Sequence, residues 1–263
     1  MSGVLIKGSL VHYETLGRGK PILFLHGWLG SWRYWVPVMD ELSGDFRTYA
    51  LDLWGFGDSD KSCERYNIHA YTELILAFMD ELGIWRTPLV GHTLGAAIAV
   101  QTALQHPDRV PRVMAVGLPL TPETIHRKLR ATAPNEVLAR CFWGRQRPYP
   151  EVEIGLAKTA PQAIARTVEA VAQLDVRSML EEIDAPVLVV YGGKDTVIDP
   201  AQADELEDRL DGARAIVLPE SFHFPMLDET ARFTRLLRDF MDIETPAQLR
   251  ELSIKQEWRR RTR

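Results

Sequence analysis

The pentapeptide Gly91-His92-Thr93-Leu94-Gly95 constrains the fold more than any other part of this 263-residue chain. It joins a short apolar run, Thr87–Val90, to a stretch of small residues with helical character, Leu94–Gln105. Glycines two positions either side of a hydroxyl side chain make sense on a very tight strand-to-helix turn with a strained backbone. Serine is the residue expected at the centre of such a turn. Threonine's extra methyl crowds the backbone and stiffens χ1. The pentapeptide therefore marks where a nucleophile would stand and raises the question of whether Thr93 acts as one.

Around this turn, apolar runs of strand length alternate with amphipathic stretches of helix length. Val4–Ile6 and Leu10–Glu14 read as a hairpin entering the domain, and Pro21–Leu25 as a continuous apolar strand. Trp32–Leu42 has helical spacing with Ser31 as its N-cap, Phe46–Leu51 is the next strand, and Tyr71–Leu82 is a helix closed by Gly83. Strands are also expected at Val110–Val116, Pro186–Tyr191 and Ala213–Leu218, with helices at Ala201–Leu210 and Glu229–Met241. Unbroken apolar strands alternating with helices predict an α/β fold whose mostly parallel sheet, eight strands in all, is covered on both faces.

One stretch breaks the rhythm. From about Leu120 to Ile183 there is no strand-like apolar run, only helical material punctuated by Pro122, Pro134, Pro148, Pro150 and Pro161. Its size suits a helical cap inserted before the penultimate strand. The expected organisation is a core of residues 1–119 and 184–242, a cap of residues 120–183, and a basic helical tail of residues 243–263. In the tail, Leu249, Leu252 and Trp258 suggest a helix lying against the body, largely solvated. Its end, Trp258 to Arg263, gives weaker support to a docking patch for an acidic partner or membrane surface.

Bulk composition narrows the class further. A hydrophobic fraction of 46% and a charged fraction of 25% suit a soluble globular protein, and a net charge of −5 gives no reason to expect nucleic-acid binding. Cys63 and Cys141 are too few and too unpatterned for a disulfide framework or a metal site. Met1–Lys7 carries no basic segment leading into a long apolar stretch, and no apolar run approaches the roughly 20 residues that span a bilayer. The expectation is a cytoplasmic protein without a transmembrane segment. No metal or organic cofactor is expected, for want of a His, Cys and carboxylate cluster at ligand spacing. The oligomeric state is not legible.

Acyl transfer by a hydroxyl needs a nucleophile, a base, an orienter for the base and donors for the oxyanion. Thr93 supplies the hydroxyl. Asp195, in Tyr191-Gly-Gly-Lys-Asp195, follows a buried-type strand and so lies on the crevice side of a parallel sheet. Read alone it is a turn residue, and its place in chain order makes it the acid. Asp199 reads as the N-cap of the next helix. His223, after the final strand, completes the order nucleophile, acid, histidine, whereas the histidines at 12, 26, 69, 92, 106 and 126 read as packed or surface residues. Gly27, in His26-Gly27-Trp28, lets the loop after Pro21–Leu25 turn its next N–H toward the nucleophile. The amides of Trp28 and Leu94 would then form the oxyanion hole, with His26 holding the loop. In Asp52-Leu-Trp-Gly-Phe-Gly-Asp-Ser59, the two aspartates are expected to accept backbone amides. No phosphate-loop or dinucleotide pattern is present.

These motifs resemble those of the α/β-hydrolase superfamily over Val4 to about Met241. The matching strings are His26-Gly27, Asp52-x-x-Gly55-x-Gly57-x-Ser59, Gly91-x-Thr93-x-Gly95, Gly193-x-Asp195 and His223. The family hosts esterases, thioesterases, lactonases, perhydrolases, C–C hydrolases, epoxide hydrolases and dehalogenases, so the resemblance specifies a fold better than a reaction. Epoxide hydrolases and dehalogenases carry Asp at the nucleophile position, which Thr93 does not match. His26-Gly27-Trp28 is similar to the string of bacterial esterases and cofactor-free perhydrolases. The resemblance implies hydrolysis of a small, largely apolar carboxylic ester or related acyl compound. Trp28, Trp54, Phe56, Phe142 and Trp143 are candidates to line the pocket, although packing alone also accounts for aromatics of this kind.

Threonine leaves three readings open. Thr93 is a working nucleophile, deprotonated by His223 and hydrolysed from an acyl-enzyme. Alternatively, the His223–Asp195 pair acts without a covalent intermediate, as a base for water, for lyase chemistry or for cofactor-free oxygen chemistry. In the third, turnover is lost and a ligand-binding protein remains.

Overall fold

The computed structural model describes residues 2–28, 30–61, 65–126, 129, 149–207, 213–244 and 246–252. The strands are β1 (Ser2–Ile6), β2 (Ser9–Gly17), β3 (Lys20–Leu25), β4 (Phe46–Leu51), β5 (Leu89–His92), β6 (Val113–Val116), β7 (Val187–Gly192) and β8 (Ala213–Leu218). They form one sheet in the order β1-β2-β4-β3-β5-β6-β7-β8. β2 runs antiparallel to both its neighbours, and every other pair is parallel. The sequence expectation of a mostly parallel eight-stranded sheet holds, because β3 and β5 to β8 carry apolar runs that can be buried on both faces.

The chain steps from β3 to β4 on one side and then crosses to β5 on the other. Register places Leu25 beside Leu51 and beside Gly91, with Gly91 beside Ala115. The carboxyl ends of β3 and β5 thus meet where the strand order reverses, the place where an open α/β sheet leaves a crevice.

Two elements start earlier or more tightly than apolar spacing suggests. Trp32–Leu42 is not one helix but a 3₁₀ turn, Trp32–Trp35, leading into α1 (Val36–Leu42), with Pro37 in the first turn, where its missing N–H costs nothing. Ser31 caps the turn as expected. The helix expected at Tyr71–Leu82 is α2 (Ile68–Glu81), because Asn67 caps it by accepting the Ala70 N–H at 2.9 Å. Strands β5 and β6 begin after Pro88 and Pro111, which have no N–H to give a ladder.

α3 (Leu94–Gln105) lies against β3, β5 and β6 with α2 beside it. After β6 comes a long connection to β7. Its described part pairs Ile125 with Ile198 across an isolated bridge and then forms α4 (Pro150–Ala157), α5 (Pro161–Ala172) and α6 (Val176–Glu182). These helices are seated on the sheet layer by specific bonds. The Ala160 N–H donates to Gly55 O at 2.8 Å, Lys158 pairs with Asp58 at 2.5 Å, and Tyr149 Oη donates to Asp228 Oδ1 at 2.6 Å.

α7 (Gln202–Glu207) precedes β8, and Asp199 Oδ1 accepts the Ala201 N–H at 3.0 Å, as an N-terminal turn residue should. The helix expected from Glu229 is α9 (Thr230–Met241), packed on α1, and a short helix that the sequence did not suggest, α8 (Pro225–Asp228), precedes it. In the tail, α10 (Pro246–Glu251) buries Leu249, Leu252 just after it is also buried, and Arg214 Nε donates to Leu252 O at 2.8 Å. Trp258 and the basic end lie outside the described residues, as do Cys63 and Cys141. No helix among the described residues is long and apolar enough to cross a membrane.

Candidate active site

Thr93 occupies the turn between β5 and α3 with φ +47° and ψ −102°, one of two non-glycine residues at positive φ among those described. Its N–H donates to Val116 O at 2.8 Å, which pins the turn to the neighbouring strand. The flanking glycines are required by space. A Cβ on Gly91 would stand 2.2 Å from Gly95 O, and one on Gly95 would stand 2.3 Å from Leu25 O. So close a start lets α3 leave directly behind β3 and β5, and it carries residue 93 onto the crevice.

Within that turn the threonine side chain is wholly buried. Oγ1 faces Gly27, where an added Cβ would lie 2.0 Å away, and the methyl faces Gly117. The hydroxyl has no hydrogen-bond partner among the described residues, so no bond joins it to His223. The rotamer occupied here points the oxygen at the loop after β3.

The other two members of the constellation are joined. His223 Nδ1 and Asp195 Oδ2 are 2.8 Å apart, with side-chain exposures of 5% and 1%. Asp195 Oδ1 accepts the N–H groups of Val197 at 2.7 Å and Ile198 at 3.1 Å, so the carboxylate is fixed before it meets the imidazole. A carboxylate at that nitrogen selects the Nδ1–H tautomer and leaves Nε2 free to take a proton.

Of the two residues expected to supply donor amides, Trp28 lies in the loop after β3 and Leu94 opens α3. Leu94 is the first residue of α3, where an N–H has no intrahelical acceptor. Trp28 is buried, and its indole Nε1 donates to Thr167 Oγ1 on α5 at 3.1 Å. His26 holds the loop: Nδ1 lies 2.9 Å from Gly27 O, and Nε2 accepts the Leu53 N–H at 3.0 Å. Burial lowers its pKa to about 4, so it stays neutral.

Sequence reasoning missed two side chains here. Tyr34 Oη accepts the Gly27 N–H at 2.6 Å and lies 3.1 Å from His92 Nδ1, while His92 Nε2 lies 2.9 Å from His223 O. His92, expected to be merely packed, is the residue before Thr93. Nothing in the spacing pairs it with Tyr34, 58 positions away.

Trp54 and Phe56 are both wholly buried, the first with its carbonyl accepting Tyr71 Oη at 2.7 Å, the second with its ring 5.1 Å from His26. Phe142 and Trp143 lie outside the described residues. Asp52 accepts the amides of Trp32 at 2.8 Å and Asp58 at 2.7 Å, as expected. Asp58 instead pairs with Arg33 at 2.7 Å and with Lys158, because the loop turns its carboxylate outward to α4.

The structure also brings His12, Asp52 and Asp58 together, with candidate ligand atoms within 4.8 Å of one another, a grouping that sequence spacing does not reveal. Its carboxylate oxygens are already taken by two amides and two cationic side chains. A metal ion there would have to displace Arg33 and Lys158. The residues present do not fit one.

Comparison with known proteins matches this geometry to one family. Residues 20–140 match the family model described as alpha/beta hydrolase fold. A pimeloyl-[acyl-carrier protein] methyl ester esterase from Neisseria meningitidis is 26% identical over 85% of this chain and 77% of its own length. An uncharacterised protein of Mycobacterium tuberculosis is 28% identical over 92% of this chain and 81% of its own length. Among solved structures, the enol-lactonase from Burkholderia xenovorans superposes with a TM-score of 0.81 at 26% identity, covering 92% of this chain and all of that one. A meta-cleavage product hydrolase from Pseudomonas fluorescens, 24% identical with a TM-score of 0.77 over 92% of this chain and 97% of its own, shares the fold. The chain has the α/β-hydrolase fold and is similar to members of that superfamily over most of its length.

Proposed function

We propose that this protein hydrolyses a small, largely apolar carboxylic ester or related acyl compound. Thr93 stands at the nucleophile position, His223 is the base, and Asp195 orients and stabilises the imidazole. The observation that carries the reading is the buried 2.8 Å contact between His223 Nδ1 and Asp195 Oδ2 on loops that flank the strained elbow. Similarity to methyl ester esterases and to an enol-lactonase supports acyl chemistry.

In this mechanism Thr93 Oγ1 turns about χ1 toward His223 and attacks the substrate carbonyl as Nε2 takes its proton. The amides of Trp28 and Leu94 receive the developing oxyanion, each contributing about 3 kcal/mol to the transition state. Collapse breaks the ester C–O bond, and the His223 proton leaves with the alcohol. Water then gives a proton to His223 and attacks the acyl-Thr93 carbon, releasing the acid and restoring the hydroxyl. Trp54 and Phe56 belong to the apolar surround of the acyl group, under a cap formed by the helices between β6 and β7.

A second reading is favoured by the unpartnered Thr93 hydroxyl. In it, His223 and Asp195 activate water or deprotonate the substrate directly, and Thr93 contributes at most a hydrogen bond.

Hydrolysis of p-nitrophenyl acetate and butyrate by the parent, Thr93→Ser, Thr93→Ala and His223→Ala separates the readings. A strong gain in Thr93→Ser with loss in His223→Ala is expected. Equal rates for the parent and Thr93→Ala would remove Thr93 as nucleophile and leave the direct-base reading. No turnover even in Thr93→Ser would point to a ligand-binding protein.

A further inference from the structure

Three separate pieces of the site converge on one buried pair of side chains. Gly27 precedes Trp28 in the loop after β3. His92 precedes Thr93 at the elbow. His223 follows β8. The contacts run from Gly27 N to Tyr34 Oη at 2.6 Å, from Tyr34 Oη to His92 Nδ1 at 3.1 Å, and from His92 Nε2 to His223 O at 2.9 Å.

Only one arrangement of protons satisfies this chain. A peptide N–H can only donate, so Tyr34 Oη accepts from Gly27 and gives its single proton to His92 Nδ1. A peptide carbonyl can only accept, so His92 Nε2 carries the imidazole proton and gives it to His223 O. His92 is therefore the neutral Nε2–H tautomer. Burial, with the nearby His223 adding to it, lowers the His92 pKa well below the usual histidine value. The phenol of Tyr34 is held well above its usual range, again chiefly by burial.

We propose that Tyr34 and His92 are positioning residues for the reaction, together holding the oxyanion loop and the backbone of the base on the elbow that carries Thr93. The proposal rests on the reading of His223 as base. Its physical content is distance. The two links fix the peptide next to Trp28 N–H and the carbonyl of His223 itself, while Asp195 fixes only the imidazole ring. Displacing reacting groups by about 1 Å costs on the order of 100-fold in rate. Both side chains are almost wholly buried, so cutting a link strands a polar group that water does not reach.

The two halves can be cut separately. In His92→Gln the terminal amide reaches the Nε2 position and keeps the donor to His223 O, but loses the acceptor for Tyr34. In His92→Asn the side-chain oxygen stands near Nδ1 and keeps the acceptor for Tyr34, but loses the donor to His223. Tyr34→Phe removes the hydroxyl that joins Gly27 to His92. With p-nitrophenyl butyrate, His92→Asn is expected to lose about 100-fold in kcat with KM little changed. His92→Gln is expected to lose about tenfold, and Tyr34→Phe to fall between them. The low-field proton resonance of His223 Nδ1–H supplies a readout independent of turnover. It should survive in His92→Gln and broaden or vanish in His92→Asn. Equal kcat and equal spectra for the two His92 variants would overturn the proposal, as would losses that simply track melting temperature across all three. A parent without esterase activity that still shows the spectral difference would remove the hydrolase reading and keep the positioning one.

Discussion

The α-carbon of Gly27 faces the hydroxyl of Thr93 so closely that a Cβ added to it would lie 2.0 Å from Oγ1 and 2.9 Å from His92 O. The glycine expected to let the loop turn is required for a different reason. The loop after β3 and the elbow after β5 touch backbone to side chain, with no room for a methyl between them. Gly27→Ala should therefore retain the far-ultraviolet circular dichroism of the parent while losing at least about 100-fold in kcat, since the Trp28 amide must move away from Thr93. Parental kcat in a folded Gly27→Ala protein would place the oxyanion donors elsewhere.

The elbow stores strain. A β-branched residue at φ +47° lies outside the regions such side chains favour, at a cost of about 1–3 kcal/mol. Thr93→Gly relieves it and removes the buried, unpartnered hydroxyl, at the expense of the methyl contact with Gly117. The melting temperature should rise by about 2–4 °C, corresponding to roughly 1 kcal/mol in a chain of this size, while ester hydrolysis disappears. A lower melting temperature would mean that the surrounding structure does not hold the elbow under strain.

Trp28 ties the loop after β3 to α5 through the 3.1 Å bond from Nε1 to Thr167 Oγ1, and Thr167 also donates to Ala163 O at 2.6 Å. Thr167→Val keeps the shape and removes both bonds, leaving a buried indole N–H unsatisfied at a cost of about 1–3 kcal/mol. Chemical denaturation should report that loss, with Thr167→Ser restoring most of it. An increase in KM larger than the decrease in kcat is expected, because the tether joins α5 to the loop that carries Trp28. Identical stability of Thr167→Val and parent would show that the indole finds another acceptor.

Asp52 gives stability a pH dependence of unusual sign. Burial raises its pKa from 3.8 to about 7, against the lowering effect of the Asp58 and Trp32 amides. The folded state thus holds a proton that the unfolded chain releases near pH 4. The contribution is fully present below that point and is lost as pH rises through about 7. His26 works the other way: its folded pKa of about 4 lies below the unfolded value of 6.5, so its contribution is present above 6.5 and is lost as pH falls toward 4. Asp52→Asn isolates the first effect. The melting temperature of the parent minus that of Asp52→Asn should decrease steadily from pH 4 to pH 7 and level off by about pH 8. A difference independent of pH would show that the two amides keep Asp52 ionised throughout.

Much of this architecture was legible in the residues. Apolar runs such as Pro21–Leu25 and Pro186–Tyr191 announce strands buried on both faces, because no polar position interrupts them. Less legible were the boundaries. Asn67 starts α2 three residues before the apolar pattern does, and Pro88 and Pro111 shorten the strands that follow them, since a missing N–H weighs more locally than hydrophobicity. Asp58 pairs not with amides but with Arg33 and Lys158, which are 25 and 100 positions away and so lie outside any local pattern.

By itself the sequence determined the sheet, the order in which Thr93, Asp195 and His223 reach its crevice, and the glycines at 91 and 95 without which the elbow cannot close. These follow from local rules, namely periodicity, turn chemistry and the space a side chain occupies. Only the tertiary structure decided that Asp195 meets His223, that the Thr93 hydroxyl points at Gly27 instead of at the base, and that Tyr34 and His92 bridge the two sides of the site. Those facts depend on which residues from distant strands come within about 3 Å, and on how protons are shared once water is excluded. No pattern along the chain encodes either.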